Sequence, residues 1–304
     1  MRMHVISRSP KIGRSWVMNH KDRVLILTPV KDAERFLDCY FESIYRLAYP
    51  RELISLGFLE SDSGDNTYSK LMRRLPDLRS DFGSVRVWKK DFGFRTPPNT
   101  PRWLEHIQKE RRNVLARSRN HLLFRALDDQ DWVLWLDVDV AEYPPDIIER
   151  LLATGKDIVQ PHCVVQYGGR SFELNAWRDK GKYHMDDLRA EGDLVKLHAV
   201  GGTMLLVRAD VHRNGLIFPP FPYGKGNPLI RGRRLQTMRE TLGILLHKGR
   251  LFKALRKVTK QDVAKVAALG YVGEIETEGL GMMAHDMGYE CWGMPNLEIR
   301  HSDS

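Results

Sequence analysis

The stretch Asp131–Val140, DWVLWLDVDV, decides the fold. Its apolar run, Trp132 to Leu136, is unbroken and stops abruptly at Asp137-Val138-Asp139. A short continuous apolar run bounded by polar residues reads as a strand buried on both faces, as in a parallel sheet. Working back toward the N-terminus, RVLILTPV (Arg23–Val30), LISLGFLE (Leu53–Glu60) and SVRVWKK (Ser84–Lys90) read as three more strands. Helical patterns separate them. Phe36, Leu37, Tyr40, Ile44 and Leu47 recur at helical spacing, and Tyr49-Pro50 closes that helix. A short helix is expected over Tyr68–Leu75, then a loop over Asp91–Arg102 and a long helix over about Trp103–Leu127. Working forward, Pro144 and Pro145 open a helix, where proline is favoured. KDIVQPHCVV predicts a strand pair around Pro161, and Lys196–Val207 another around Gly201-Gly202. A helix over about Glu278–Met287 and a final strand close the chain. This alternation predicts an α/β sheet with helices on both faces and ligands beyond the carboxyl ends of its strands.

The chain has 304 residues, 42% apolar and 29% charged. That length sustains a core without staples, and that composition excludes disordered, collagen-like and disulfide-built chains. No apolar run approaches the roughly 18 residues of a membrane span. The first residues carry no apolar core of a secretory signal. Cys39, Cys163 and Cys291 are far apart and show no metal-ligand spacing, so no dependence on disulfides is expected. Residues 1–22 read as an arm and 23–304 as a single domain with halves at 23–165 and 166–304. The net charge of +9 is local: residues 225–265 hold twelve Lys or Arg against Glu240 and Asp262, and the remaining charges nearly cancel.

Asp137 and Asp139, two apart at a strand end, are expected to point to one side and repel each other. A hard divalent cation relieves that repulsion and bridges phosphates, which suggests a Mg²⁺ or Mn²⁺ site holding a diphosphate. Two solvated acids at a strand end are the plain alternative.

Six separated stretches carry a wider resemblance. They are ILTPVKDA (Ile26–Ala33), AYPRELISLGFLESDSGD (Ala48–Asp65), ERRNVLARSRNHLL (Glu110–Leu123), WLDVDV (Trp135–Val140), AVGGTMLLVRADVHRNGLIFPPFP (Ala199–Pro222) and IETEGLGMMAHDMGYECWGMPN (Ile275–Asn296). In this order they resemble the fungal Golgi α-mannosyltransferases that build cell-wall mannan, glycosyltransferase family 62. The resemblance implies a GT-A type fold, a mostly parallel central sheet flanked by helices. It makes 23–165 the nucleotide-binding half and 166–304 the acceptor half. It also implies a GDP-mannose donor, a Mn²⁺ ion and transfer with retention to a glycan or lipid-linked acceptor. Against that family pattern, a homologue without the N-terminal membrane anchor and with an added basic insert is expected.

The resemblance assigns roles residue by residue. Asp137, Asp139 and His301 would hold the metal. Thr28, Pro29 and Val30 would line the nucleoside pocket, and Asp62 would accept from guanine or ribose, unless it is only a turn residue. Among Arg112, Arg117 and Arg119 on the long helix, Arg117 is expected to face the diphosphate. Glu276 and Glu278 are candidate catalytic acids on one side of an extended segment, with helix-start chemistry as the alternative. Glu173, Asn175 and Trp177 are placed near the donor sugar, Glu173 as a third catalytic acid, although a core tryptophan is an equal reading of Trp177. Gly201 and Gly202 would let backbone approach the ligand.

In residues 225–265, apolar positions at helical spacing alternate with Lys and Arg, the pattern of a basic amphipathic helix that lies on anionic membrane. That predicts a cytoplasmic, membrane-peripheral protein. A nucleic-acid partner is not expected, because only Phe252 in the segment offers a stacking ring. A non-catalytic scaffold subunit and a different nucleotide-sugar donor remain open, as does homo- or hetero-oligomer assembly; a metal-dependent nucleotidyltransferase would share the paired aspartates but not the wider set of matching segments.

Overall fold

A computed structural model describes residues 21–95, 105–224 and 274–302. The N-terminal arm through residue 20 and the basic segment 225–265 lie outside the described residues. The first half runs β1 (Val24–Val30), α1 (Leu37–Tyr45), β2 (Ile54–Glu60), α2 (Thr67–Asp81), β3 (Ser84–Lys89), α3 (Glu105–Ala126), β4 (Trp132–Leu136), β5 (Val140–Glu142), α4 (Ile147–Ala153) and β6 (Ile158–Val164). The second half runs β7 (Trp177–Arg178), β8 (Tyr183–His184), β9 (Val195–Leu197), β10 (Met204–Arg208), α5 (Ala209–Arg213), α6 (Glu276–Asp286) and β11 (Cys291–His301).

One central sheet has the order β3-β2-β1-β4-β10-β6-β11-β5, with β9 also on β11. β3, β2, β1 and β4 are mutually parallel. β10 inserts antiparallel between β4 and β6, and β11 runs parallel to β6. Strands from both halves therefore share one sheet. The alternation of β1 shows how the two faces are filled. Val24 and Ile26 pack with α1, α2 and α4, through residues such as Phe41, Leu71 and Ile148. Leu25 and Leu27 pack on the other face with Leu122 and Leu123 of α3 and Leu280 of α6. Gly57 lets α3 lie close: a Cβ there would stand 2.7 Å from Leu27 Cδ2 and 3.2 Å from Ala126 Cβ. The result is the mixed α/β architecture expected, a mostly parallel sheet with helices on both faces.

Several local expectations change. Asp131–Val140 is not one strand. β4 ends at Leu136, a turn holds Asp137–Asp139, and β5 begins at Val140. α2 passes through Pro76 to Asp81, because Leu75 and Leu78 on its buried face outweigh the backbone bond that proline removes. Pro161 does not separate two strands but lies inside β6, where the partner register jumps from Met294 to Glu298. The resulting bulge in β11 accommodates a residue with no N–H to give. β9 and β10 do not pair with each other; they join β11 and the β4–β6 gap respectively.

The three cysteines are free, Cys163 and Cys291 being buried. Among the described residues, no helix is long and apolar enough to cross a membrane.

Phe41, fully buried, packs edge-on against Tyr40 at 5.6 Å and Phe58 at 6.2 Å between ring centroids. Phe41→Ala should lower unfolding stability by about 3–5 kcal/mol in urea titration. An unchanged midpoint would contradict this packing.

Candidate active site

The site gathers where β4 and β11 end. In the turn after β4, Asp137 and Asp139 diverge. Asp137 Oδ1 accepts from Arg119 Nη2 at 2.9 Å, whereas Asp139 Oδ2 lies 3.2 Å from His301 Nε2 at the end of β11. The shared-side expectation fails because the pair sits in a turn. Both carboxylates stay partly open, at 27% and 34% side-chain exposure. The ring of His301 stacks on Phe172 with centroids 3.7 Å apart, and its Nδ1 lies 2.6 Å from Ser302 O. Backbone bonds brace the turn: Asp137 N–H donates to Thr203 O, and Ser302 N–H to Asp139 O, both at 2.9 Å.

Arg119 on α3 is the hub. Its side chain is 1% exposed, with Nε 3.1 Å from Glu276 Oε1 and Nη2 3.3 Å from Gly202 O. Its guanidinium also lies over the rings of Trp135 and Phe218. Burial opposes its charge, but Asp137, Glu276 and Glu173 outweigh burial and hold it above the ordinary arginine range. Burial pushes Asp137 up to about 7, with Arg119 opposing. Asp139 goes the other way: burial alone would raise it, but the hydrogen bond and charge of His301, helped by Arg111, hold it low. Burial disfavours protonated His301, yet Asp139 outweighs burial and raises it.

Glu276 and Glu278 are not on one side of an extended segment. They occupy the first turn of α6, after Ile275, and point apart. Glu276 is 3% exposed, carries φ of +60° and accepts from Thr277 Oγ1 at 2.9 Å. A left-handed glutamate is uncommon and persists only where its surroundings fix it, here the Arg119 ion pair. Glu278 accepts from Trp177 Nε1 at 2.6 Å and from Arg112 Nη2.

A cavity of about 150 Å³ opens beyond the carboxyl ends of β1 and β2, lined by Pro29, Val30, Lys31, Phe94, Arg111 and Ser118 among others. Pro29 and Val30 thus stand where the sequence puts them, but Thr28 does not. It is buried on the α1 side, with its hydroxyl 2.7 Å from that of Tyr40. The Asp62 carboxylate is occupied by the N–H groups of Phe92 (2.8 Å) and Gly93 (2.9 Å), so it shapes the 91–93 loop in place of receiving a base. Arg117 is exposed and lies over the Phe92 ring, away from the acids, which corrects its expected phosphate role. Arg119 and Arg112 turn inward instead. They are seven residues apart, two helical turns, so they share a face that Arg117 does not. That spacing was the available signal for Arg119. Ser118 and Arg111 in the cavity, and Phe172 on His301, had no such signal.

Glu173 accepts from Gly202 N–H and from Thr203 N–H and Oγ1, so it clamps the 201–203 turn and does not stand free as a catalytic acid. Gly201 and Gly202 are glycine for that reason. A Cβ on Gly201 would fall 1.9 Å from Glu173 Oε2, and one on Gly202 2.6 Å from Arg119 Nη2. Side chains, and not a ligand, take the room. Asn175 Nδ2 donates to Thr277 Oγ1 at 3.3 Å, tying its loop to α6.

No group of three or more His, Cys, Asp or Glu among the described residues converges closely enough to hold a metal by itself. Asp139 and His301 form the pair, with Asp137 drawn to Arg119. One oxygen and one nitrogen donor fit a hard divalent ion that takes its other ligands from phosphate and water.

Two stability predictions follow from these charges. Arg119→Ala should cost about 3–5 kcal/mol at neutral pH, because Glu276 then stays buried without a counter-charge and the half-buried Asp137 loses its partner; urea unfolding checks it. Asp137 and His301 both bind protons more tightly folded than unfolded, so their contribution is lost as pH rises through their folded values. His121, His162 and His212, lowered by burial, act with the opposite sign until their unfolded-state protons are gone, about a unit above 6.5. The difference between wild type and Asp137→Asn isolates the Asp137 part: metal-free, the stability of wild type relative to the variant should fall between about pH 4 and about pH 8. A difference that rises over that window would contradict the assignment.

A model of the Anp1 family matches residues 11–185 and 180–222. The chain is 28% identical to the mannan polymerase complex subunit MNN9 of Candida albicans over 93% of its length and 76% of that protein's. It is 32% identical to the mannan polymerase complex subunit mnn9 of Schizosaccharomyces pombe over 68% of its length and 72% of that protein's. Across the curated mannan polymerase subunits it matches, it spans between 49% and 76% of their lengths. A solved mannosyltransferase from Pyrobaculum calidifontis, in complex with GDP-Man and Mn²⁺, overlays 66% of this chain and 49% of its own, with TM-score 0.43 and 16% identity. The chain belongs to the Anp1 family.

Proposed function

We propose that the chain is a metal-dependent, retaining glycosyltransferase that moves mannose from GDP-mannose to a glycan or lipid-linked acceptor. The carrying observation is the Asp139–His301 pair beside a strand-end cavity, linked by Arg111, which lines the cavity and acts on the Asp139 charge. Membership of a family whose relatives are named mannan polymerase subunits supports the choice of mannose.

Asp139 and His301 would hold Mn²⁺ or Mg²⁺. Bound there, the ion supplies charge neutralisation for the leaving diphosphate. The chain does the rest. Lys31 and Arg111 give the cavity a cationic wall suited to phosphate, while Pro29, Val30 and Phe94 offer apolar surface to the nucleoside. Arg119 holds Asp137 and Glu276 in place without being spent on substrate. In a retaining transfer, the acceptor proton passes to the departing phosphate oxygen on the same face. No dedicated base is then required, which accords with Glu173, Glu276 and Glu278 all being bonded to protein groups.

A second reading, a non-catalytic subunit of a glycosyltransferase complex, is favoured by one observation: Arg119 already neutralises Asp137 and Glu276 from within. Sugar turnover separates the two. The cytoplasmic, membrane-peripheral placement rests on the basic composition of 225–265, and binding to anionic vesicles tests it.

GDP with Mn²⁺ should raise the melting temperature, by about 2.7 kcal/mol of added stability at a hundred times the dissociation constant. Asp139→Ala should lose the Mn²⁺-dependent part while remaining folded. A rise with UDP in place of GDP would replace the donor, and no rise with any nucleotide would favour the scaffold reading.

A further inference from the structure

His301 ends β11, and β6 sets where its ring lies. β6 pairs in parallel with β11, Cys163 against Ile299 and Val164 against Arg300, so His301 follows directly on the last position paired with β6. Beyond β6 the chain folds back on it. Ser171 bridges Val164 in antiparallel sense, and Phe172 N–H donates to Cys163 O at 2.9 Å. The strand that registers His301 therefore also registers Phe172. The outcome is a face-to-face stack of the two rings, with centroids 3.7 Å apart and planes 21° apart. The neighbours of Phe172 are fixed as well. Ser171 Oγ donates to Asp186 Oδ1 at 2.7 Å and lies 2.9 Å from His162 Nε2. Glu173 holds the 201–203 turn, whose Thr203 carbonyl receives Asp137 N–H. Segment 171–173 is thus tied both to the turn that carries Asp137 and to the histidine that faces Asp139.

We propose that Phe172 is a positioning residue: its ring fixes the plane of the His301 imidazole and so sets the affinity of the Asp139–His301 pair for a divalent cation. The inference rests on that pair holding the metal, as in the reading above, and adds what holds the histidine. An imidazole nitrogen bonds a cation through a lone pair in the ring plane, so rotating the ring aims that lone pair away from the ion. The two edge contacts of His301 do not prevent this by themselves. Nε2 lies 3.2 Å from Asp139 Oδ2, but Asp139 is itself a ligand that the cation would draw off. Nδ1 lies 2.6 Å from Ser302 O, an acceptor that takes the Nδ1 proton and leaves Nε2 free to bind, yet Ser302 is only the next residue in the chain. The Phe172 face supplies the remaining restraint. Exposure argues against a plain packing role. Phe172 is 42% exposed although large and apolar, whereas His301 against it is 8% exposed. A ring left at the surface adds little to a core, but its flat face still covers the histidine. Phe172 offers no donor atom, so it acts on the cation only through His301.

The test uses the full chain with Mn²⁺ alone as probe, bound metal being read from the loss of the free Mn²⁺ signal in EPR. Phe172→Ala should weaken Mn²⁺ binding by about tenfold or more, the usual effect of removing a group that orients a ligand. Phe172→Tyr keeps a flat ring and should keep the wild-type affinity. Phe172→Leu keeps apolar bulk without a flat face and should bind as weakly as Phe172→Ala. A merely structural role would instead lower the metal-free melting temperature of Phe172→Ala and be rescued by leucine. NMR reads the stack directly. The phenyl face shifts the His301 Hε1 resonance upfield, a shift that Phe172→Ala and Phe172→Leu should abolish and Phe172→Tyr should keep; the resonance is identified by its absence from His301→Gln. In turnover, activity lost in Phe172→Ala should return as Mn²⁺ is raised. A wild type that binds no Mn²⁺ overturns the metal reading and the positioning role with it. Mn²⁺ binding that is equally tight in wild type and Phe172→Ala overturns the positioning role and leaves the metal reading standing.

Discussion

A buried guanidinium organises this molecule. Arg119 reaches from α3 into a space bounded by the Asp137 turn, the Glu276 end of α6 and the Gly202 carbonyl, and touches all three. Each of these belongs to a different stretch of chain, so one side chain fixes the relative placement of four. Desolvating a cation is expensive and is tolerated only with close counter-charges. That requirement explains secondary features. The left-handed backbone of Glu276 aims its carboxylate at Arg119, and the bare α-carbon of Gly202 makes room for the guanidinium. The clamp of Glu173 on the 201–203 turn sets the carbonyl of Thr203 that receives Asp137 N–H. The open pair, Asp139 and His301, stands beside this locked cluster and is left for ligand chemistry.

The fold was legible because its cues are local and repeat. Apolar runs such as Val24–Leu27 and Trp132–Leu136 are too short for buried helices and read as strands covered on both faces, and the helices between them announce themselves by period. The helix end expected at Leu75 and the strand break expected around Pro161 went wrong for a common reason. Pro76 and Pro161 are penalised locally, but a buried helix face in one case and a bulge in the partner strand in the other absorb the loss. Tertiary packing overrode the local signal.

The site was legible as a neighbourhood and much less so as geometry. The sequence points to Pro29 and Val30, which line the cavity, and to Asp139 and His301, which stand 3.2 Å from each other. It mis-aims Arg117, Thr28 and Asp62, because which face a side chain takes depends on a helix rotation, a strand parity or a loop bond that only the fold sets. The alternation of β1 turns Thr28 toward Tyr40, and the 91–93 loop captures Asp62. Helical phase alone would have preferred Arg119 to Arg117.

The placement of β11 has a consequence for the order in which the molecule can be completed. This strand lies inside the sheet, flanked by β6 on one side and by β5 and β9 on the other, and it carries His301. Its contacts with β6 join residues as far as 136 positions apart, as Val164 and Arg300 are. During synthesis, one edge of β6 therefore waits with unpaired backbone groups until β11 has emerged, and such edges invite pairing with other chains. The half of the open pair supplied by β4 exists early and the half supplied by β11 arrives late, so assembly of the ligand site and closure of the sheet are a single event.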